Sequence, residues 1–190
     1  MSKRAGVLAI QGDFDAHRRI LENLGVMVIP VLFAKDLDQI DVLVLPGGES
    51  TTIAKGMARL GLYEPLKSRI AAGLPVLGTC AGAILLSREV ENHAVPVLGV
   101  LDVRATRNAY GTQVDSFAAT LNGGADPRLE GLRCIFIRAP RLSDPGPEVT
   151  VLARVDDNPV FVQQSNVLAA TFHPELADDT RVHARLLELL

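Results

Sequence analysis

The chain has 190 residues, 48% of them hydrophobic, and a formal net charge of -3. That length suits one α/β domain spanning 1–190, and the apolar content suits parallel strands covered on both faces. The acidic balance excludes the basic field of a nucleic-acid binder, and no apolar run approaches the roughly 20 residues of a membrane span. Ser2-Lys3-Arg4 leads straight into a strand, with no signal-peptide pattern. Two cysteines without metal-ligand spacing fit a reducing, cytoplasmic setting in which a thiol stays free.

In chain order, Gly6 to Ile10 predicts a first strand, followed by Gln11-Gly12 and a helix over Asp13 to Leu24. Val26 to Leu32 predicts a second strand, and a loop carrying Asp36 leads to a third at Val42 to Leu45. Pro46-Gly47-Gly48-Glu49-Ser50-Thr51-Thr52 comes next. Paired glycines reach backbone conformations closed to other residues, which suits amides turned toward an anion. Ser50 or Thr51 could cap the following helix, Ile53 to Leu60. No Gly-Lys-Ser/Thr completes a phosphate loop here, and no G-x-G-x-x-G follows the first strand, so nucleotide cofactors find no support.

A helix over Tyr63 to Ala72 precedes a short strand, Leu74 to Leu77, and Ala81 to Val90 reads as helical. This β-α-β-α order predicts a flavodoxin-like, mostly parallel sheet with helices on both faces. Ligands would then lie at the carboxyl ends of the strands, gathering Gln11, Gly47, Gly48 and Cys80 on one edge. Leu98 to Val162 reads as successive strands that either extend the sheet or add a small antiparallel layer. Cys134, within Leu132 to Ile137, is read as inert packing. After a strand at Val167 to Ala170, Asp178 or Asp179 would cap a last helix with Val182, Leu186 and Leu189 toward the core.

The chemistry concentrates in two strings. Gly78-Thr79-Cys80-Ala81-Gly82 sits at a strand-to-helix junction, the G-x-S-x-G elbow with sulfur in place of oxygen. Such a turn exposes the sulfur at a helix N-terminus and aims the Ala81 N–H at a developing oxyanion. Phe172-His173-Pro174-Glu175 follows the last apolar strand. On extended backbone, His173 and Glu175 project to the same side, so the carboxylate can orient the imidazole and leave its other nitrogen for the thiol. Pro174 cannot donate to a ladder and belongs at a strand end. His17, His93 and His183 have no matched partners in the sequence and read as structural or exposed.

With these strings in hand, the chain resembles the class I (triad) glutamine amidotransferases, and within them the glutaminase subunits of pyridoxal 5′-phosphate synthases. The resemblance also runs through Arg107-Asn108-Ala109-Tyr110-Gly111, Gln113 to Phe117 and Phe136-Ile137-Arg138-Ala139-Pro140. It implies a Cys80-His173-Glu175 triad acting on L-glutamine, with oxyanion donors at Gly48 and Ala81. It further implies glutamine-binding positions at Gly48, Glu49, Ser50, Arg107, Ile137 and Arg138, and a partner contact at Gln11. The implied partner is a ring-forming synthase subunit of TIM-barrel fold, and the implied glutaminase needs no cofactor or metal. A stand-alone cysteine hydrolase lacks a place for the paired arginine strings. An amidotransferase of histidine synthesis lacks those particular strings, and a non-enzymatic scaffold has no need of an intact triad.

Overall fold

The architecture follows from short apolar runs whose alternate residues face opposite sides. The computed structural model describes residues 3–109, 116–121 and 126–190; Tyr110-Gly111 and Gln113-Val114-Asp115 of the resemblance lie outside them. The first half contains β1 (Arg4–Leu8), α1 (Phe14–Asn23), β2 (Met27–Val31), β3 (Val42–Leu45), α2 (Ser50–Arg59) and α3 (Tyr63–Ala71). It continues with β4 (Val76–Thr79), α4 (Ala81–Leu86) and β5 (Ser87–Glu91). The second half contains β6 (Leu101–Thr106), β7 (Ser116–Thr120), β8 (Arg133–Ile137), β9 (Arg141–Ser143) and β10 (Thr150–Val155). It ends with β11 (Asn158–Gln164), β12 (Val167–Ala170) and α5 (Arg181–Leu187).

The main sheet has the order β10-β11-β12-β4-β3-β1-β2. From β12 to β2 all neighbours are parallel, whereas β10 and β11 add an antiparallel edge. This is the expected mostly parallel sheet. On one face Leu43, Leu45, Val76, Val167 and Ala169 pack with residues of α2, α3 and α4, such as Ile53, Leu66 and Leu85. On the other, Val42, Val44, Leu77, Leu168 and Ala170 pack with Leu21 of α1 and with Val182 and Leu186 of α5. Each fully buried Val or Leu of this kind contributes about 1.5–3 kcal/mol. Both expected fates of the second half occur together. β10 and β11 extend the sheet, β5-β6-β9 form a three-stranded sheet, and β7-β8 form an antiparallel pair.

Several boundaries differ from the sequence reading for local reasons. The helix after Cys80 ends at Leu86, not Val90, because the Ser87 hydroxyl donates to the Ile84 carbonyl at 2.7 Å and the chain turns extended to pair with β6. Asp36 lies in a 3-10 turn, Ala34–Gln39, whose entry it holds by accepting from the Leu32 and Phe33 amides at 3.0 and 2.8 Å. α2 is capped by Glu49 and not by Ser50 or Thr51, and so begins at Ser50. Asp179 accepts the Arg181 amide at 2.9 Å, as expected of a helix start, although Thr180 is the capping position. Leu189 lies past the end of α5, half-buried against the same core.

Candidate active site

At the carboxyl edge of the parallel strands, six segments of the chain converge on a cleft of about 290 Å³. Its lining includes Gln11, Asp13, Gly48, Glu49, Ser50, Cys80, Ala81, Arg107, Asn108, Ile137, Arg138 and His173. All but Glu175 of the residues singled out for catalysis or binding are among them. The expected gathering of Gln11, Gly48 and Cys80 on one edge is therefore observed.

Cys80 sits at φ 48° and ψ -103°, in a region that costs an ordinary residue about 1–2 kcal/mol. The surroundings enforce it. Its amide donates to the Ala170 carbonyl of β12 at 2.8 Å, fixing the strand end. A Cβ on Gly78 would meet the Gly82 backbone at 2.6 Å, and one on Gly82 would overlap the Leu45 carbonyl. Two glycines thus let α4 press against β3 and β4. Cys80 is 7% exposed, with Sγ 3.9 Å from the Ile137 carbonyl at the end of β8. α4 is only six residues long, so its dipole is weaker than that of the helix expected from the sequence.

His173 follows β12 and donates its amide to Ile135 of β8 at 2.8 Å. Its Nδ1 lies 2.7 Å from Glu175 Oε1, and both side chains are buried. The pairing does not come from extended backbone. His173 begins a 3-10 turn, Pro174–Leu176, and the turn swings Glu175 back under the ring. Burial works against a charge on His173. Its hydrogen bonds to Cys80 and Glu175, with the charge of Glu175, outweigh that and raise it to about 10. The imidazole is thus held as a proton donor facing the sulfur. Gly47 has to be small here, since a Cβ would come 2.5 Å from His173 Cε1 and 3.4 Å from Cys80 Cβ.

Around this core stand the binding candidates. Glu49 caps α2 by accepting from the Thr51 and Thr52 amides at 3.2 and 2.6 Å. Burial opposes its charge, yet hydrogen bonds from Thr52 and Thr51 hold its carboxyl down at about 2. Arg107 pairs with Glu49 at 3.0 Å and reaches Thr51 Oγ1 at 3.2 Å. Arg138 stands just past the end of β8. It leaves the strand at φ 42° and is exposed beside the cleft. Ile137 next to it is 37% exposed. The Ser50 hydroxyl is buried at the cleft without a hydrogen-bond partner among the described residues. The Oε1 of Gln11 accepts the Glu49 amide at 2.7 Å and so clasps the Gly47-Gly48 loop. Asp13, His173 and Glu175 each bring a possible cation ligand within 4.8 Å of the others. A cation there would compete with the proton that His173 holds.

Residues 7–190 match the SNO glutamine amidotransferase family. The chain belongs to that family. It is 49% identical over 187 residues to pyridoxal 5′-phosphate synthase subunit PdxT of Fervidobacterium nodosum, covering 97% of this chain and 96% of that one. Its identity to the PdxT subunit of Thermosipho africanus is 50% over 187 residues, 98% of each chain. A solved structure described as a glutamine amidotransferase superposes with a TM-score of 0.90 at 43% identity, covering 97% of both chains. The expected class I amidotransferase fold and family are therefore established for this glutaminase.

Sequence reasoning missed what lies behind this amidotransferase's cleft. His17 of α1 and His183 of α5 are fully buried and bonded to each other, Nδ1 to Nε2, at 2.8 Å. His93, by contrast, is exposed as expected.

Proposed function

We propose that Cys80, His173 and Glu175 are the triad with which this amidotransferase hydrolyses glutamine. The observation that carries this reading is the buried His173, locked to Glu175 at 2.7 Å and presented to a sulfur on a strained turn. The sulfur of Cys80 attacks the side-chain amide carbon, and the oxyanion faces the amides of Gly48 and Ala81. Collapse breaks the C–N bond, and His173 gives its proton to the departing nitrogen, leaving a glutamyl thioester and ammonia. A water molecule then attacks the thioester while His173 takes its proton, releasing glutamate and the thiol. Glu175 holds the ring in one tautomer throughout.

The paired Glu49 and Arg107, with Arg138 across the cleft, offer a carboxylate for an amino acid's ammonium and guanidinium groups for its carboxylate. Ser50 and Ile137 complete the glutamine-binding set. Ammonia is the useful product, since the curated relatives are named as subunits of a pyridoxal 5′-phosphate synthase. Free ammonia is mostly protonated near neutral pH and is lost to solvent, which favours release into a docked acceptor enzyme. The acceptor is a TIM-barrel synthase ring, the setting is the cytoplasm, and residues 1–190 act as one domain. No helix among the described residues is long and apolar enough to cross a membrane. Gln11, clasping the Gly47-Gly48 loop, is the element through which docking acts on the oxyanion amides.

The test is a glutaminase assay with and without the synthase subunit, following pyridoxal phosphate by absorbance. Ammonia release should rise on docking, with cofactor formed from glutamine in place of added ammonium. Full activity alone, with no binding, would remove the partner while leaving the triad.

A further inference from the structure

The back of Glu175 is as organised as its front. Its Oε1 bonds His173, whereas Oε2 is buried and makes no hydrogen bond of ordinary geometry among the described residues. Facing Oε2 at 3.5 Å is Nε2 of His17, which also lies 3.3 Å from Thr79 Oγ1, the residue before the nucleophile. The other ring nitrogen of His17 is spent on His183. A buried carboxylate oxygen with no donor is costly, so the protons on this imidazole pair matter.

Two neutral arrangements are possible for a pair joined Nδ1 to Nε2. If His17 donates from Nδ1, its Nε2 turns a lone pair on Glu175, and His183 is left with a buried Nδ1–H that finds no partner. If His183 donates instead, His17 carries its proton on Nε2, aimed between Glu175 Oε2 and Thr79 Oγ1. Only a lone pair on His183 Nδ1 then goes unmatched, in agreement with the absence of any described partner for that atom. The second arrangement removes a repulsion and an orphan donor together. Burial keeps both rings neutral, pushing His183 down to about 4 and, with the nearby His183 and His173, His17 well below its ordinary value.

We propose that His17 is a positioning residue for the glutaminase reaction, its Nε2–H bracing the second oxygen of Glu175 while His183 fixes its tautomer. This rests on the triad reading given above. The 3.5 Å separation is long for a finished hydrogen bond, and catalytic hydrogen bonds commonly tighten only when substrate is bound. The brace ties α1, α5 and the nucleophile strand β4 to the turn that carries His173. A carboxylate held at both oxygens cannot rotate away as the imidazole gains and loses its proton.

Glutamine places an amide nitrogen near the position of Nε2, whereas asparagine reaches only that of Nδ1, so the two variants separate donor from bulk. His17→Asn should lower kcat roughly 10- to 100-fold with KM held within about twofold, and His17→Gln should recover most of the loss. Equal activity in both variants and the native protein, or an equal fall in both, would overturn the donor role. Nitrogen-15 spectra of histidine-labelled native protein give a readout that needs no variant to fold. They should show a neutral His17 protonated on Nε2, and a proton on Nδ1 would overturn the inference. Labelling of Cys80 by a glutamine-like electrophile keeps the two levels apart. Cys80 labelled with the wrong His17 tautomer sinks only the brace, whereas Cys80 unlabelled in native protein sinks the triad beneath it.

Discussion

The elbow at Cys80 and the strand at Cys134 put the same side chain into two environments. Cys134 lies in the regular antiparallel ladder of β8, fully buried, where burial and then Asp179 push its thiol up to about 12. Cys80 stands on a positive-φ turn between β4 and α4, at the cleft, with the protonated His173 before it. Backbone geometry, not residue type, separates the packing sulfur from the one proposed to react. A ladder aims the Cys134 thiol into the apolar core, whereas a strained turn with glycines on either side sets the largely buried Cys80 against the cleft.

The largest effect should come from the two cysteines themselves. Cys80→Ala is expected to lower glutamine turnover by about 10⁴-fold or more with the melting temperature nearly unchanged, as for loss of a catalytic nucleophile. Cys134→Ala should leave turnover within about twofold and lose only the small stability of a filled core site. Comparable losses in the two variants would erase the distinction.

Next in size are the partners of the elbow. His173→Asn should cost about 10²–10⁴-fold, the usual range for a general acid–base group, and Glu175→Gln should cost less because the base nitrogen remains. Steady-state kinetics of the two variants would reverse the assigned roles if Glu175→Gln proved the worse.

Glycine substitutions sharpen the contrast at the level of packing. Gly82→Ala drives a methyl into the Leu45 carbonyl and should cost about 1–3 kcal/mol in denaturant unfolding, with a fall in turnover as Cys80 shifts. Gly131→Ala, in the turn before β8, meets nothing within 4 Å but sits at φ 71°. It should cost about 1 kcal/mol and leave turnover alone.

Effects of pH come last. His173 is raised to about 10, so its contribution to stability is complete below about 6.5 and is lost as pH climbs toward 10. His183 is lowered to about 4, so its contribution is complete above about 6.5 and is lost as pH falls toward 4. Each slope is at most about 1.4 kcal/mol per pH unit. Unfolding across this range should show both limbs, and His173→Asn should flatten only the alkaline one.

Much of this was legible in the sequence because it is local. The strands around Val44, Leu77 and Leu168 announce themselves as short apolar runs, and the elbow and the His-Pro-Glu string lie in contiguous residues. What escaped was set by long-range packing. Nothing near Ser87 signals that β6 will draw the chain out of a helix. The role of His17 depends on Glu175, far along the chain. Yet a signal was present, since His17, Ile20 and Leu21 share one face of α1, and a histidine on an apolar stripe needs partners.

The central claim is that Cys80, and not Cys134, is the nucleophile. Native protein treated with an α-diazoketone analogue of glutamine, then digested and mapped by mass, tests it directly. One adduct per chain is expected, on the peptide containing Cys80, suppressed by excess glutamine and absent in Cys80→Ala. An adduct on Cys134, or one that persists in Cys80→Ala, would contradict it.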